Sequence, residues 1–207
     1  MKIAVLGSTG QTGRLIVAHA LERGHDVIAL ARRPELVGTS VTGDLRVVQA
    51  DVTRPESVTT AIAGADVVIS GLGITEKQDP TILSDGARLI ASAAPRVVWL
   101  TSLGMGATEG ALGRLNGALL KRILRHEWNA KDVAGRAVRA AQGTTVYAEP
   151  LTDKPYADNG RLIKAEDYVP RMLPPVAPRG GIADLMVAEA EVPHFADADT
   201  IALFDGR

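Results

Sequence analysis

Short, nearly continuous apolar runs recur along the chain, separated by longer stretches in which apolar residues return every third or fourth position. The runs are Ile3-Ala4-Val5-Leu6, Val27-Ile28-Ala29-Leu30, Leu45-Arg46-Val47-Val48-Gln49-Ala50, Asp66-Val67-Val68-Ile69-Ser70, Arg96 to Leu100 and Thr144 to Ala148. Runs this brief with so few polar interruptions fit strands buried on both faces. Between them, Leu15, Ile16, Ala18, Ala20 and Leu21 lay out one helical face that Gly24 ends, Pro55 to Ala63 forms a second helix, and Pro80 to Ala93 a third with Ile82, Leu83, Ala87 and Ile90 on its apolar side. Strands alternating with amphipathic helices predict an α/β fold: a Rossmann-type doubly wound parallel sheet, covered on both faces through right-handed crossovers.

The second half is less regular. Leu103 to Gly113 holds four glycines and reads as a mobile loop, whereas Arg114 to Ala141 carries helical periodicity through Leu115, Leu119, Ile123, Leu124, Val133 and Val138. Beyond Pro150, where proline, glycine and charge become denser, Arg161 to Lys164 predicts a short strand, Ile182 to Ala190 a helix and Thr200 to Phe204 a last strand, together a small C-terminal region on the substrate side. Pro170 to Pro178 is the nearest thing to a loop of special composition, and neither a linker nor a repeat divides the chain, so residues 1–207 read as one domain.

Composition narrows the chemistry. The 207 residues are 46% hydrophobic and 23% charged, enough to bury a full core, and the net charge of −1 offers no basic excess for nucleic acid. A small-molecule ligand fits better. No cysteine is present, which excludes disulfides and thiolate chemistry. The N-terminal apolar run is too short for a signal-peptide core and no run approaches a membrane span, so the expectation is a cytoplasmic protein, free of membrane and acting as a monomer or small homo-oligomer. His19, His25, His126 and His194 stand without ligand spacing, and no metal is expected.

Directly behind the first strand lies Gly7-Ser8-Thr9-Gly10-Gln11-Thr12-Gly13. A strand must turn abruptly into a helix here. Gly7 allows the tight turn, Gly10 admits a diphosphate to the main-chain N–H groups, and Gly13 lets helix and sheet pack closely. Gly7, Thr9, Gly10, Gln11, Thr12 and Gly13 are therefore the candidate diphosphate site. At the end of the second strand, where an acidic residue would select a ribose 2′-hydroxyl, the chain has Arg32-Arg33 instead. Two guanidinium groups suit a 2′-phosphate, each charged hydrogen bond contributing roughly 1.5–3 kcal/mol, which favours NADP(H). Asp51 and Val52 follow the third strand, with Asp51 either accepting from an adenine amine or capping the helix after Thr53. Gly71, Leu72 and Gly73 let backbone approach the ribose and phosphates. Thr101 and Ser102 end the fifth strand at the expected nicotinamide position, making Ser102 the first catalytic candidate. Met105, Leu112, Trp128 and Met172 are possible linings of an apolar mouth, and Arg114, Lys121, Arg122 and Arg125 form a basic helical patch that is a solvated face, a flavin-phosphate contact or a contact for a partner.

These residues, with Arg32-Arg33-Pro34 and Pro150-Leu151-Thr152-Asp153, resemble the atypical short-chain dehydrogenase/reductases, especially the NAD(P)-binding NmrA-like and biliverdin/flavin-reductase-like branch. The resemblance implies that Pro150 and Leu151 help close the nicotinamide end, that Ile182-Ala183-Asp184-Leu185 starts the late helix with Asp184 near its first turn, and that Lys131 is the lone lysine some members carry. Two departures stand out. The Tyr-x-x-x-Lys pair of ordinary members is missing, since Tyr147, Tyr156 and Tyr168 lack a lysine at that spacing, and Glu149 stands where many relatives have arginine before the proline. Reduction of a flavin needs no strong acid, because hydride goes to the ring and water can supply the proton. The expected function is thus an NADPH-dependent oxidoreductase reducing a flavin, quinone or similar planar acceptor. The alternative is an NADP(H)-binding redox sensor without turnover, and an epimerase-like enzyme is disfavoured by the missing pair.

Overall fold

β1 (Lys2–Leu6) passes through the glycine turn into α1 (Gln11–Glu22), and the alternation continues as β2 (Asp26–Ala31), β3 (Leu45–Gln49), α2 (Pro55–Ile62), β4 (Val67–Ser70), α3 (Thr81–Ala93) and β5 (Val97–Ser102). The computed structural model describes residues 1–37, 44–75, 77–156, 159–170 and 176–204. After a glycine-rich loop come α4 (Gly113–Ile123), α5 (Trp128–Ala140), β6 (Thr144–Ala148), β7 (Leu151–Thr152), β8 (Gly160–Lys164), β9 (Ala177–Pro178), α6 (Arg179–Glu191) and β10 (Asp199–Phe204).

The main sheet runs β3-β2-β1-β4-β5-β6-β10-β8. Ile3 sits beside Val27 on one side and Val67 on the other, in parallel register. The winding reverses between β1 and β4, which leaves a crevice beyond their carboxyl ends, the place where this kind of sheet binds its ligand. Successive residues of β1 face opposite layers: Ile3 and Val5 pack with Ile16, Val17, Ile182 and Met186 under α1 and α6, whereas Ala4 and Leu6 pack with Val58, Ile90, Trp99 and Val138 under α2, α3 and α5. Continuous apolar strands are required because both faces are covered.

Three features differ from the sequence expectation. The helical periodicity from Arg114 to Ala141 resolves into two helices, broken where the Leu124 N–H closes on Leu120 and the Glu127 N–H on Leu124. One straight helix of that length would run to about 42 Å and overshoot the sheet. The break keeps α5 on the sheet layer beside α3 and frees α4 to cross the mouth of the crevice. The sheet is also not wholly parallel, since β8 pairs antiparallel with β10, Thr200 opposite Lys164. Finally, the late helix begins at Arg179, which puts Asp184 beyond the first turn; its carboxylate instead meets Arg23 of the loop after α1 at 2.6 Å. Among the described residues no helix is long and apolar enough to cross a membrane.

Candidate functional site

Gly7 adopts φ +80°, and a Cβ there would lie 2.9 Å from the Leu72 backbone, so the turn needs glycine twice over. A Cβ on Gly13 would stand 2.1 Å from the Gly7 carbonyl oxygen. The third glycine therefore does what its spacing predicts, seating α1 directly on the turn. At the helix start the Gly10 N–H is held by the Gly7 carbonyl at 2.9 Å. Among the described residues α1 has no side-chain cap and no acid in its first turn. Its first N–H groups thus have no intrahelical partner and open where Gly10, Gln11 and Thr12 line the crevice. Buried Ser8 donates its hydroxyl to the Leu30 carbonyl at 2.7 Å, fastening this turn to the end of β2.

The crevice is a cleft of about 880 Å³ running along the carboxyl edge of the sheet. Of the residues predicted from sequence to touch cofactor, Gly7, Thr9, Gly10, Gln11, Thr12, Arg32, Asp51, Val52, Gly71, Leu72, Gly73, Thr101, Ser102, Pro150 and Leu151 all line it. Gly13 lies beneath the turn, and exposed Arg33 sits beside the cleft rather than in its lining. Asp51 does not cap the helix, which begins at Pro55 with Arg54 at its N-cap and no side-chain cap bond; it lines the cleft, and one of its carboxylate oxygens accepts from the Thr53 N–H at 3.0 Å and the Thr53 hydroxyl at 2.9 Å. Burial would raise its pKa, but the Thr53 bonds, with Arg32 and Arg54 nearby, hold the carboxyl below its ordinary value.

At the opposite end β5 and α5 bring Ser102 and Lys131 together, the Lys131 ammonium donating to the Ser102 hydroxyl oxygen at 2.9 Å. Lys131 also meets Glu127 at 3.2 Å, one helical turn earlier, and both side chains are mostly shielded from solvent. The Thr101 hydroxyl oxygen is buried with no hydrogen-bond partner, at a position that lines the cleft. A buried hydroxyl left in that state is poised for a ligand group. Tyr147 does not replace the missing tyrosine: it lies outside the cleft lining, its hydroxyl is reached by the Ala107 N–H at 3.4 Å, and burial first, then Asp199, push its pKa well up.

Sequence reasoning missed Arg179, Glu127 as a lining group, and most of an aliphatic wall. Arg179 lines the cleft, donating from Nε to Asp153 at 2.8 Å and from a guanidinium nitrogen to the Thr12 hydroxyl at 3.4 Å. A signal existed, because a cation in the first turn of a helix opposes the helix dipole and calls for a compensating anion. The wall comes from Leu112, Leu119, Leu120, Ile123 and Leu124 of α4 and its flanks. Of the four suggested mouth residues only Leu112 takes part; Met105 is buried away from the lining, Trp128 carries the Lys121 ammonium 5.1 Å above its ring, and Met172 lies outside the described residues. The basic patch is a solvated face: Lys121 reaches Glu109 at 3.5 Å, Arg122 and Arg125 are exposed off the cleft, and the Arg114 side chain lies outside the described residues.

A model of the NAD(P)H-binding family matches residues 7–193. An isoflavone reductase homolog of Zea mays is 33% identical over 95 residues, 42% of this chain and 31% of that protein. An uncharacterized protein of Mycobacterium tuberculosis is 31% identical over 107 residues, 49% of this chain but 12% of that protein. The chain thus spans less than a third of these curated relatives. Three solved structures share the fold over nearly the whole chain. The oxidoreductase ylbE from Lactococcus lactis has a TM-score of 0.81 at 20% identity, covering 99% of this chain and 91% of that one. ChuY, an anaerobillin reductase from Escherichia coli O157:H7, has 0.80 at 17%, covering 100% and 98%. A candidate NADH-flavin reductase from Streptococcus pneumoniae has 0.77 at 21%, covering 99% and 100%.

Proposed function

The chain belongs to the NAD(P)H-binding family, and from that premise we propose that it is an NADPH-dependent reductase of a flavin, quinone or similar planar acceptor. The observation that carries the reading is the single cleft, which joins the glycine turn and Arg32 to the Ser102–Lys131 pair and then to an aliphatic wall. Such a cleft offers a dinucleotide the glycine turn and Arg32, and an apolar guest the aliphatic wall.

In this reading the unpaired N–H groups of α1 and the Arg179 guanidinium hold the diphosphate. Asp51 and Val52 flank the adenosine end, and Arg32 with Arg33 takes the 2′-phosphate. Thr101, Ser102, Pro150 and Leu151 surround the nicotinamide, which when bound supplies the hydride. Two-electron reduction also consumes a proton. Because Lys131 donates to the Ser102 oxygen, the serine's own hydrogen is left to point elsewhere, and the adjacent ammonium makes it a better donor. Ser102 then orients the acceptor, and Lys131, held by Glu127, makes up the proton. A strong acid is not required when the ring itself takes the hydride. That both ChuY and the Streptococcus pneumoniae protein are named as reductases favours the same class.

The test is NADPH oxidation with FMN, riboflavin and quinones, beside binding titrations with NADPH and NADH. Turnover with one of these acceptors is expected. Tight NADPH binding with no consumption across the panel overturns the reading in favour of a redox-sensing protein. Replacing Arg32 and Arg33 together by alanine should weaken NADPH by roughly ten- to a hundredfold more than NADH; equal weakening refutes the 2′-phosphate assignment.

A further inference from the structure

Glu127 stands on tightly held backbone at the edge of the cleft it lines. Its N–H closes on the Leu124 carbonyl and its own carbonyl accepts the Lys131 N–H, each at 3.0 Å. The neighbouring His126 donates from Nε2 to the carbonyl oxygen of Gln78, another lining residue, at 3.2 Å. A side chain mounted on backbone fixed in this way presents its atoms to a ligand with little freedom to turn aside.

The Glu127 carboxylate is only partly engaged. Oε1 meets the Lys131 ammonium at 3.2 Å, Oε2 takes no hydrogen bond among the described residues, and the side chain keeps 19% exposure. A carboxylate accepts roughly four hydrogen bonds, so most of its capacity is open. Ser102 has the opposite sense: its oxygen accepts from the same ammonium at 2.9 Å, which leaves its hydrogen to donate. One lysine thus holds a donor and an acceptor side by side. Because Lys131 neutralises Glu127, what this pair reads in a guest is the direction of a hydrogen bond and not its charge.

A quinone offers such a pair oxygens alone. Its carbonyl suits Ser102, but nothing on the ring satisfies Glu127, whose open oxygen would lose water without replacement. A ring in which a carbonyl stands next to an N–H satisfies both groups at once. We infer that Glu127 determines specificity: its open oxygen accepts an N–H of the acceptor beside the carbonyl that Ser102 holds, so the cleft takes a lactam or imide edge, such as the pyrimidine ring of a flavin, in preference to a quinone. The inference rests on the reductase reading for what the cleft does and names the group that chooses the guest. In a flavin one ring atom separates that carbonyl from the nitrogen that takes the hydride, so seating this edge on Ser102 and Glu127 keeps the reducible nitrogen at the nicotinamide end.

The experiment titrates riboflavin and N3-methylriboflavin calorimetrically into the full chain saturated with NADP⁺, where no turnover intervenes. Methylation removes the one ring N–H of the oxidised flavin and should raise Kd at least about tenfold, the worth of a hydrogen bond to a charged group. Glu127→Gln keeps the size of the side chain, so a penalty caused by the bulk of the methyl group would persist in it. With the amide oxygen drawn to Lys131 and the NH₂ left toward the guest, the penalty should instead shrink to less than about twofold. Ser102→Ala should weaken both flavins alike. Equal binding of the two flavins by the unaltered protein, an undiminished penalty in Glu127→Gln, or failure of riboflavin to bind overturns the inference. Binding in the expected order without any NADPH consumption defeats the reductase reading alone, whereas NADPH oxidation by quinones with no affinity for riboflavin defeats this inference alone.

Discussion

Replacing Gly13 by alanine sets two effects against each other whose signs differ, which makes the close packing of α1 on the glycine turn measurable. In an open helix the change stabilises by up to about 1 kcal/mol, because glycine is the poorer helix former. Here the added Cβ would stand 2.1 Å from the Gly7 carbonyl oxygen, 2.7 Å from its carbon and 2.9 Å from the Ser8 Cα, all of them backbone atoms. No side-chain rotation relieves such contacts. The helix must retreat from the turn by roughly 1 Å, a strain of about 1–3 kcal/mol or more. The net expectation is a loss of about 2 kcal/mol, which for a chain of this size lowers Tm by roughly 4–8 °C. Retreat also carries the first N–H groups of α1 out of register with a diphosphate, so NADPH should bind at least about tenfold more weakly. Gly117 of α4 supplies the control, since among the described residues no atom beyond its own helix backbone and chain neighbours lies within 4 Å of the Cβ it would carry. Thermal denaturation of both variants, with calorimetric NADPH titration of Gly13→Ala, decides the matter. Should Gly13→Ala raise Tm alongside Gly117→Ala and bind NADPH normally, the account of the turn is wrong.

Arg179→Ala should weaken NADPH and NADH alike, by about tenfold, if the guanidinium, beside Thr12, holds the diphosphate as proposed; a selective loss of NADPH would place it elsewhere. Lys131→Met should lower kcat by about a hundredfold or more with cofactor Kd little changed, and should alter the pH–rate profile, whereas a merely structural lysine would leave the profile intact. Asp51 has its pKa held below the ordinary value, so the stability it contributes is present above the usual carboxylate range and fades as pH falls through the lowered value. Asp51→Asn should therefore be less stable than the unaltered protein at neutral pH and converge with it in acid, as urea denaturation at both pH values would show.

The sheet was legible because its strands are buried on both faces, so Val67, Val68 and Ile69 have to be apolar in succession. The glycine turn was legible because Gly7 and Gly13 each answer a separate steric demand. The break between α4 and α5 was not, since the helical repeat runs through Leu124, while in the structure α5 packs beside α3 and α4 lines the cleft, a division of partners that the repeat does not record. Arg179 escaped notice because the helix was read from Ile182, which hid its place in the first turn, and because its partners, Asp153 and Thr12, come from distant segments. Short strands such as β7 and β9, two residues each, are tertiary pairings with too little length to leave any periodicity.

The hydroxyl of Ser8 grips the Leu30 carbonyl two residues before Arg32. This clip makes the phosphate cradle and the arginine corner one mechanical piece, a gauge with a set span between its two jaws. If the proposed reading holds, coenzyme choice is interchangeable hardware: an acidic side chain installed at position 32 or 33 should alter which pyridine nucleotide is read, while the glycine turn keeps its shape.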